Sequence, residues 1–346
     1  MSAISRGAGK EIVAENRVRP TAMFAIETLG LTKEYKLGFW KRQSKRALDS
    51  LNLQVVPGEV FGLLGPNGAG KTTTLKLLFR LIFPTSGTAQ ILGRGLDDIA
   101  VHRRIGYLPE NPYFYDHLTP EEFLNYAGKL FGIAKDDLRR RVNELLERVG
   151  LAESRKVALR KFSKGMVQRV GIAQALINDP EVIFLDEPMS GLDPLGRREV
   201  RDLVLQLREA KKTVFFSTHI LSDAEMLCDR VAILNYGKLE GCGELREILR
   251  LGVSTTELVI ENPSAPVMEV LRPHAISVIR TGERVRLEIP EESDIGRILE
   301  LALRGNAKIV SLNPVKKSLE DYFLARVLPA EVKDQVVPSD APGPAR

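Results

Sequence analysis

The chain has 346 residues, 44% of them hydrophobic and 27% charged, with a formal net charge of +5. That length suits one large domain and a smaller one, each with its own core, in ordinary globular proportions. Interspersed acids and bases argue against a nucleic-acid partner. No apolar run approaches a bilayer span, no secretory h-region opens the chain, and Cys228 and Cys242 lack metal-ligand spacing, so a reducing cytosol is expected.

Residues 1–23 read as a loose polar tail. From Phe24 to about Gly243, short β-rich runs mix with amphipathic helices, the pattern of a layered α/β domain. Phe24-Ala25-Ile26 and Leu51 to Val55 read as strands around a basic run, Lys41 to Arg46. Such a run is a solvated hairpin tip or a contact for anionic lipid or an acidic partner loop. The apolar strand Val60 to Leu64 then feeds Gly65-Pro66-Asn67-Gly68-Ala69-Gly70-Lys71-Thr72, a full G-x-x-x-x-G-K-[ST] loop, and a helix is expected from Thr72 to Phe83. Glycines let the backbone N–H groups wrap phosphates, and the helix N-terminus adds positive potential. Lys71 can reach β- and γ-phosphates, the Thr72 hydroxyl can ligate Mg²⁺, and Thr73 lies beside them. A chance match in a chain this long stands at roughly one per cent.

The middle of the chain is helical. Thr119-Pro120-Glu121-Glu122 is a capping box with Pro at the first helical position, followed by an apolar stripe from Phe123 to Phe131. A second stripe, Leu138 to Val149, stops at Gly150, a natural C-terminal cap. Val182 to Leu185 is an apolar strand that ends in Asp186 and Glu187. Beside a phosphate loop, the first carboxylate can hold Mg²⁺ and the second can take a proton from an attacking water. A helix from Arg197 to Ala210, a strand from Thr213 to Phe216, His219 and a hairpin turning at Asn235-Tyr236-Gly237 follow. From about Glu244 the texture becomes that of a small α+β unit, with strands at Thr256–Glu261, Ile276–Arg280, Val285–Ile289 and Ile309–Leu312. Helices are expected at Ile295–Leu303 and Ser318–Val327, and residues 329–346 read as a disordered tail.

Phe162-Ser163-Lys164-Gly165-Met166-Val167-Gln168-Arg169 resembles the signature of the ATP-binding-cassette (ABC) family, usually Leu-Ser-Gly-Gly-Gln-x-Gln-Arg. The order also matches: phosphate loop, signature, Asp186-Glu187, Ser190-Gly191-Leu192-Asp193, then His219. The resemblance covers about Phe24 to Gly243. It implies a P-loop NTPase cassette: a RecA-like α/β core, an antiparallel β subdomain and a helical signature subdomain at about 111–180. A C-terminal α+β accessory domain would span 244–328; its block Ser318 to Leu324 and Glu110 resemble the ABC-2-type exporter subgroup.

The resemblance further implies ATP with Mg²⁺, adenine stacked on Tyr35, Glu187 as base and His219 at the γ-phosphate. Glu110, where the family usually has Gln, would lie near the metal with Thr72 and Asp186. Ser163 and Gly165 would face ATP held by a second cassette, with Asp193 at the seam, so a homodimer or a heterodimer is implied. Lys164 and Met166 depart from the signature and leave the hydrolysis rate open. The implied function is ATP hydrolysis energising a separate membrane-spanning permease, from the cytosolic face of the membrane. Asn111 to Tyr115 would either meet that partner or pack inside the helical subdomain. The rival is a soluble ABC ATPase in translation or DNA repair, disfavoured by a single cassette and no sustained heptads.

Overall fold

A computed structural model describes residues 24–37, 43–250, 255–290, 293–315 and 319–327. The expected tails at 1–23 and 329–346, and Lys41 and Arg42 of the basic run, lie outside the described residues. β1 (Ile26–Leu37) and β2 (Gln43–Val55) pair antiparallel; β3 (Val60–Leu64) follows and opens into α1 (Lys71–Leu78). The helix expected to reach Phe83 stops at Leu78, because Arg80 turns into the left-handed region at φ 53°. β4 (Ser86–Ile91) and β5 (Arg94–Gly95) complete an antiparallel sheet ordered β2-β1-β4-β5. Gln43 to Arg46 of the basic run belong to β2, where Arg46 pairs with Glu34 at 2.8 Å and Asp49 at 3.0 Å.

After α2 (Ile99–His102) and β6 (Ile105–Leu108) come α3 (Pro120–Leu130), α4 (Lys135–Arg148) and α5 (Lys164–Ala175). Thr119 caps α3 in a reciprocal bond with Glu122, and Gly150 leaves α4 at φ 65°. β7 (Val182–Asp186), α6 (Pro194–Glu209), β8 (Thr213–Thr218), α7 (Leu221–Leu227), β9 (Arg230–Asn235) and β10 (Lys238–Glu244) follow. α6 starts at Pro194, earlier than expected, because Asp193 caps it.

The second sheet runs β10-β9-β3-β8-β7-β6, parallel from β9 to β6 with β10 antiparallel at one edge. Its central strands are buried along their whole length, which is why they read as short continuous apolar runs. Alternate residues feed two cores. Val60, Leu185, Phe216 and Ile233 face the helices, while Phe61, Phe184, Phe215 and Leu234 face α1 and the antiparallel sheet. The parallel sheet is thus the middle layer, and its loops at the C-terminal strand ends are free to form a site.

The chain continues through α8 (Leu245–Arg250), β11 (Thr255–Glu261), α9 (Ala265–Leu271), β12 (Ser277–Thr281), β13 (Arg284–Pro290), α10 (Ile295–Arg304), β14 (Lys308–Val315) and α11 (Leu319–Val327). From β11 to β14 this is a β-α-β-β-α-β unit with antiparallel order β12-β13-β11-β14. Leu258, Ile260, Leu287 and Ile289 pack there on Val267, Leu271, Ile298 and Ala302. The flanking helices pack elsewhere. Leu245 and Ile248 of α8 and Leu319 of α11 are buried in the helix-side core of the parallel sheet. The Leu319 N–H donates to the Glu225 carboxylate on α7. In packing terms, the expected accessory span 244–328 therefore divides between two cores.

Candidate nucleotide-binding site

The glycine loop is shaped by what presses on it. Gly68 and Gly70 take φ of 82° and 112°, which side chains rarely adopt. A Cβ on Gly65 would lie 2.5 Å from the Leu234 carbonyl, and one on Gly70 would lie 2.7 Å from that of Ala47. β9 and β2 thus leave no room for a side chain at either of these two positions. Lys71 is buried and folds back over the loop, its Nζ donating to the Gly65 carbonyl at 2.8 Å and the Pro66 carbonyl at 3.3 Å.

β7 delivers the two carboxylates. Asp186 ends the strand, and Glu187 turns away at φ 47°. That turn is held by its own N–H, which donates to the Ser217 carbonyl and hydroxyl, each at 3.1 Å. The Ser217 hydroxyl in turn donates to Asp186 Oδ1 at 2.6 Å, and Thr72 Oγ1 reaches the same oxygen at 3.5 Å. Glu187 is gripped from two sides, by Lys71 Nζ on Oε1 at 3.2 Å and His219 Nδ1 on Oε2 at 2.8 Å. Burial pushes the Asp186 carboxyl above its ordinary range; hydrogen bonds from Ser217 and Thr72 oppose this, and the Glu110 and Glu187 charges add to it. Burial, helped by Asp186 and Glu110, likewise raises the Tyr107 hydroxyl to about 12.

A cavity of about 630 Å³ opens over this arrangement, lined by Tyr35, Lys45, loop residues 67–73, Glu110, Glu187, Ser190 and His219. Tyr35, Asn67, Gly68, Ala69, Gly70, Lys71, Thr72, Thr73, Glu110, Glu187 and His219 are therefore brought together. Gly65, Pro66 and Asp186 lie beneath them, tied in through Lys71 and Thr72. Ser163, Gly165 and Asp193 do not line this cavity. They sit where α5 and α6 begin: Ser163 accepts from the Met166 N–H at 3.3 Å and Asp193 from the Gly196 N–H at 3.0 Å. A Cβ on Gly165 would stand 3.9 Å from Gly196 Cα, so the two helix starts adjoin, and Lys164 reaches across to cover Gly191.

Sequence reasoning missed Lys45, Ser190 and Ser217 as site residues. Lys45 lies opposite Tyr35 in the β1–β2 register, a pairing that only the structure shows. Ser217 had only its place at the end of an apolar run. Of residues 111–115, only part packs inside the helical subdomain. Phe114 packs on Phe123 with ring centroids 4.5 Å apart, whereas Tyr113 is 96% exposed and Tyr115 55%.

A glycine loop, a buried lysine and a Thr–Asp–Ser cluster at the C-terminal ends of parallel strands define a P-loop nucleoside triphosphatase. Residues 48–190 match the ABC transporter family. The chain is 44% identical to an uncharacterised ABC transporter ATP-binding protein of Synechocystis, over 91% of this chain and 88% of that one. It is 35% identical to the Nod factor export ATP-binding protein I of Cupriavidus metallidurans, over 80% and 91%. A solved ATP-binding cassette, dimeric and bound to ADP and phosphate after hydrolysis, superposes with a TM-score of 0.57 at 28% identity, covering 64% of this chain and 99% of that one. This chain belongs to the ABC transporter ATP-binding proteins: it binds and hydrolyses ATP as a transporter subunit. The non-transport alternative is set aside. No described helix is long and apolar enough to cross a membrane.

Proposed function

We propose that the chain is the ATPase of an exporter, working from the cytosolic face of the membrane on a separate membrane-spanning permease. The observation that carries this reading is Glu187, fixed between Lys71 and His219 at the mouth of a glycine-loop cavity. Loop N–H groups and Lys71 bind the phosphates of ATP, and the half-buried Tyr35 ring stacks on adenine. When phosphate draws Lys71 away, Glu187 Oε1 is released to accept a proton from water, while His219 keeps hold of Oε2. His219 then stands over the γ-phosphate.

The donor set fits Mg²⁺: a hydroxyl and carboxylates are hard oxygen ligands, and Mg²⁺ takes few protein ligands alongside phosphate and water. Thr72 and Asp186 would hold it, with Glu110 at the rim. The raised Asp186 carboxyl is one that a cation would favour in ionised form. When bound, the ion neutralises charge on the β- and γ-phosphates.

Ser163, Gly165 and Asp193 lie outside the cavity, so in this reading a second cassette, of this chain or a related one, supplies them. The similar dimeric cassette supports that reading, and the Nod factor relative supports export. Exposed Tyr113 and Tyr115 are the part of 111–115 left for the permease. The test is Glu187→Gln with ATP and Mg²⁺ on a size-exclusion column. A stable dimer holding ATP is expected; a monomer saturated with ATP would overturn the shared site.

A further inference from the structure

Behind the site, α6 and α7 meet over one buried carboxylate. Asp223, in the first turn of α7, is 1% exposed, and its Oδ1 lies 3.6 Å from an Arg201 guanidinium nitrogen on α6. Among the described residues, Asp223 Oδ2 and the Nε atoms of Arg197 and Arg201 are buried without hydrogen-bond partners. Burial pushes the Asp223 carboxyl up; Arg197 and Arg201 pull it down, and the Glu187 charge pushes it up again. A buried carboxylate with so loose a set of partners is a poor stabiliser, since an apolar residue would hold two helices together at no desolvation cost. Nor does it line the nucleotide cavity.

Its position supplies the reason for it. Asp223 stands four residues after His219, on the helix that His219 leads into. Arg197 stands four residues after Asp193, one turn into the helix that Asp193 caps. The Asp223–Arg201 pair therefore joins the helix behind the γ-phosphate histidine to the helix behind the seam aspartate, with the Arg197 charge one turn from Asp193. We propose that Asp223 is a positioning residue that, through Arg197 and Arg201, locks His219 and Asp193 into one rigid unit, so that closure at the seam sets the histidine for hydrolysis. This rests on the roles given to His219 and Asp193 above.

The experiment measures turnover, ATP affinity and thermal melting for the full chain with Asp223→Asn, His219→Ala and both. Asp223→Asn is expected to lower kcat by about tenfold with ATP affinity within about twofold, and to cost nothing more in the His219→Ala background, as for two residues acting as a unit. Asp223→Glu, which keeps the charge, should recover part of the rate. Unchanged kcat in Asp223→Asn, or a loss that adds in full to that of His219→Ala, would overturn the proposal. If His219→Ala alone turns over normally, the reading of the site has failed instead. Should Asp223→Asn not fold, Asp223→Leu with Arg201→Met replaces the pair by apolar contact. Restored melting with kcat still low supports positioning; restored melting with restored kcat refutes it.

Discussion

The parallel sheet and the β11–β14 sheet each press an apolar face against helices, yet the first is buried on both faces and the second on one, and they differ in what is buried beside the apolar residues. The body around the parallel sheet buries Lys71, Asp186, Glu187, Ser217, Thr218 and Asp223. Among the described residues of the β11–β14 unit, only Thr255 is a buried polar residue, and its hydroxyl donates to Glu288 at 2.9 Å. Charges there stay on the open face, where Glu261 pairs with Lys308 at 2.6 Å and Glu257 with Arg286 at 3.3 Å. Buried charge is costly unless paired. The first body carries that cost around the phosphate loop and, away from the cavity, at Asp223 on α7, and the second carries almost none.

Glu187→Gln tests the costly side and should have the largest effect. Removing the proposed base is expected to cut steady-state turnover by about 10²–10⁴-fold while ATP affinity stays close to native. Turnover near the native rate would mean that the grip of Lys71 and His219 on Glu187 is structural only.

Leu287→Ala tests the other side. The residue is 1% exposed in the β13 core, so truncation should cost about 2–5 kcal/mol. We propose that this loss is confined to β11–β14, so calorimetry should show one transition moving while ATP affinity holds. ATP affinity falling in step would show that both sheets unfold as one. A cut after Gly243 is a poorer probe, because it also removes Leu245, Ile248 and Leu319 from the larger core.

Asp186→Asn should stabilise the nucleotide-free protein. The native carboxyl titrates above its unfolded counterpart, so between those two values the folded state binds more protons, and stability falls as pH rises through that window. At neutral pH the full penalty is present. The Asn variant should be more stable there, by about 0.5–2 kcal/mol, and so melt higher, and the gain should vanish below the ordinary Asp range. Mg²⁺-dependent ATP hydrolysis should be lost together with the penalty. A variant less stable than native at neutral pH would mean that hydrogen bonds from Ser217 and Thr72 outweigh burial.

The same contrast governs what could be read in the sequence. The phosphate loop was legible because close backbone wrapping permits few residue types at fixed spacing; Asp186-Glu187 was legible as two carboxylates ending an apolar strand, and His219 only through the family resemblance. β11 and β13 were legible because one face is apolar and the other wet, which leaves alternation. β4 was not, since Ser86, Gly87 and Thr88 are exposed and show no apolar period. Asp223 and Ser217 were illegible as parts of a cluster because their partners come from other elements; Ser217 and Asp186 are 31 positions apart. The helices α8 and α11 carried ordinary stripes, and nothing in a stripe says which core it will join.

Glu110→Gln has the smallest expected effect and tests where the costly region ends. Glu110 is exposed, yet it lines the cavity, and its charge raises both Asp186 and Tyr107. We propose that it faces the point where the phosphates and Thr72 would meet. Without metal it should repel the γ-phosphate; with Mg²⁺ present the cation offsets that repulsion and gains a possible ligand. Solvent screens an exposed carboxylate, so the effect should be that of a surface charge pair, about 0.2–1 kcal/mol, and larger at low salt. Glu110→Gln should thus tighten metal-free ATP binding by up to about fivefold and leave Mg²⁺-ATP binding nearly unchanged. Calorimetric titration of both proteins, with and without Mg²⁺, decides it. Equal metal-free affinities would put Glu110 outside the field of the phosphates, and the charged region would then stop at Asp186.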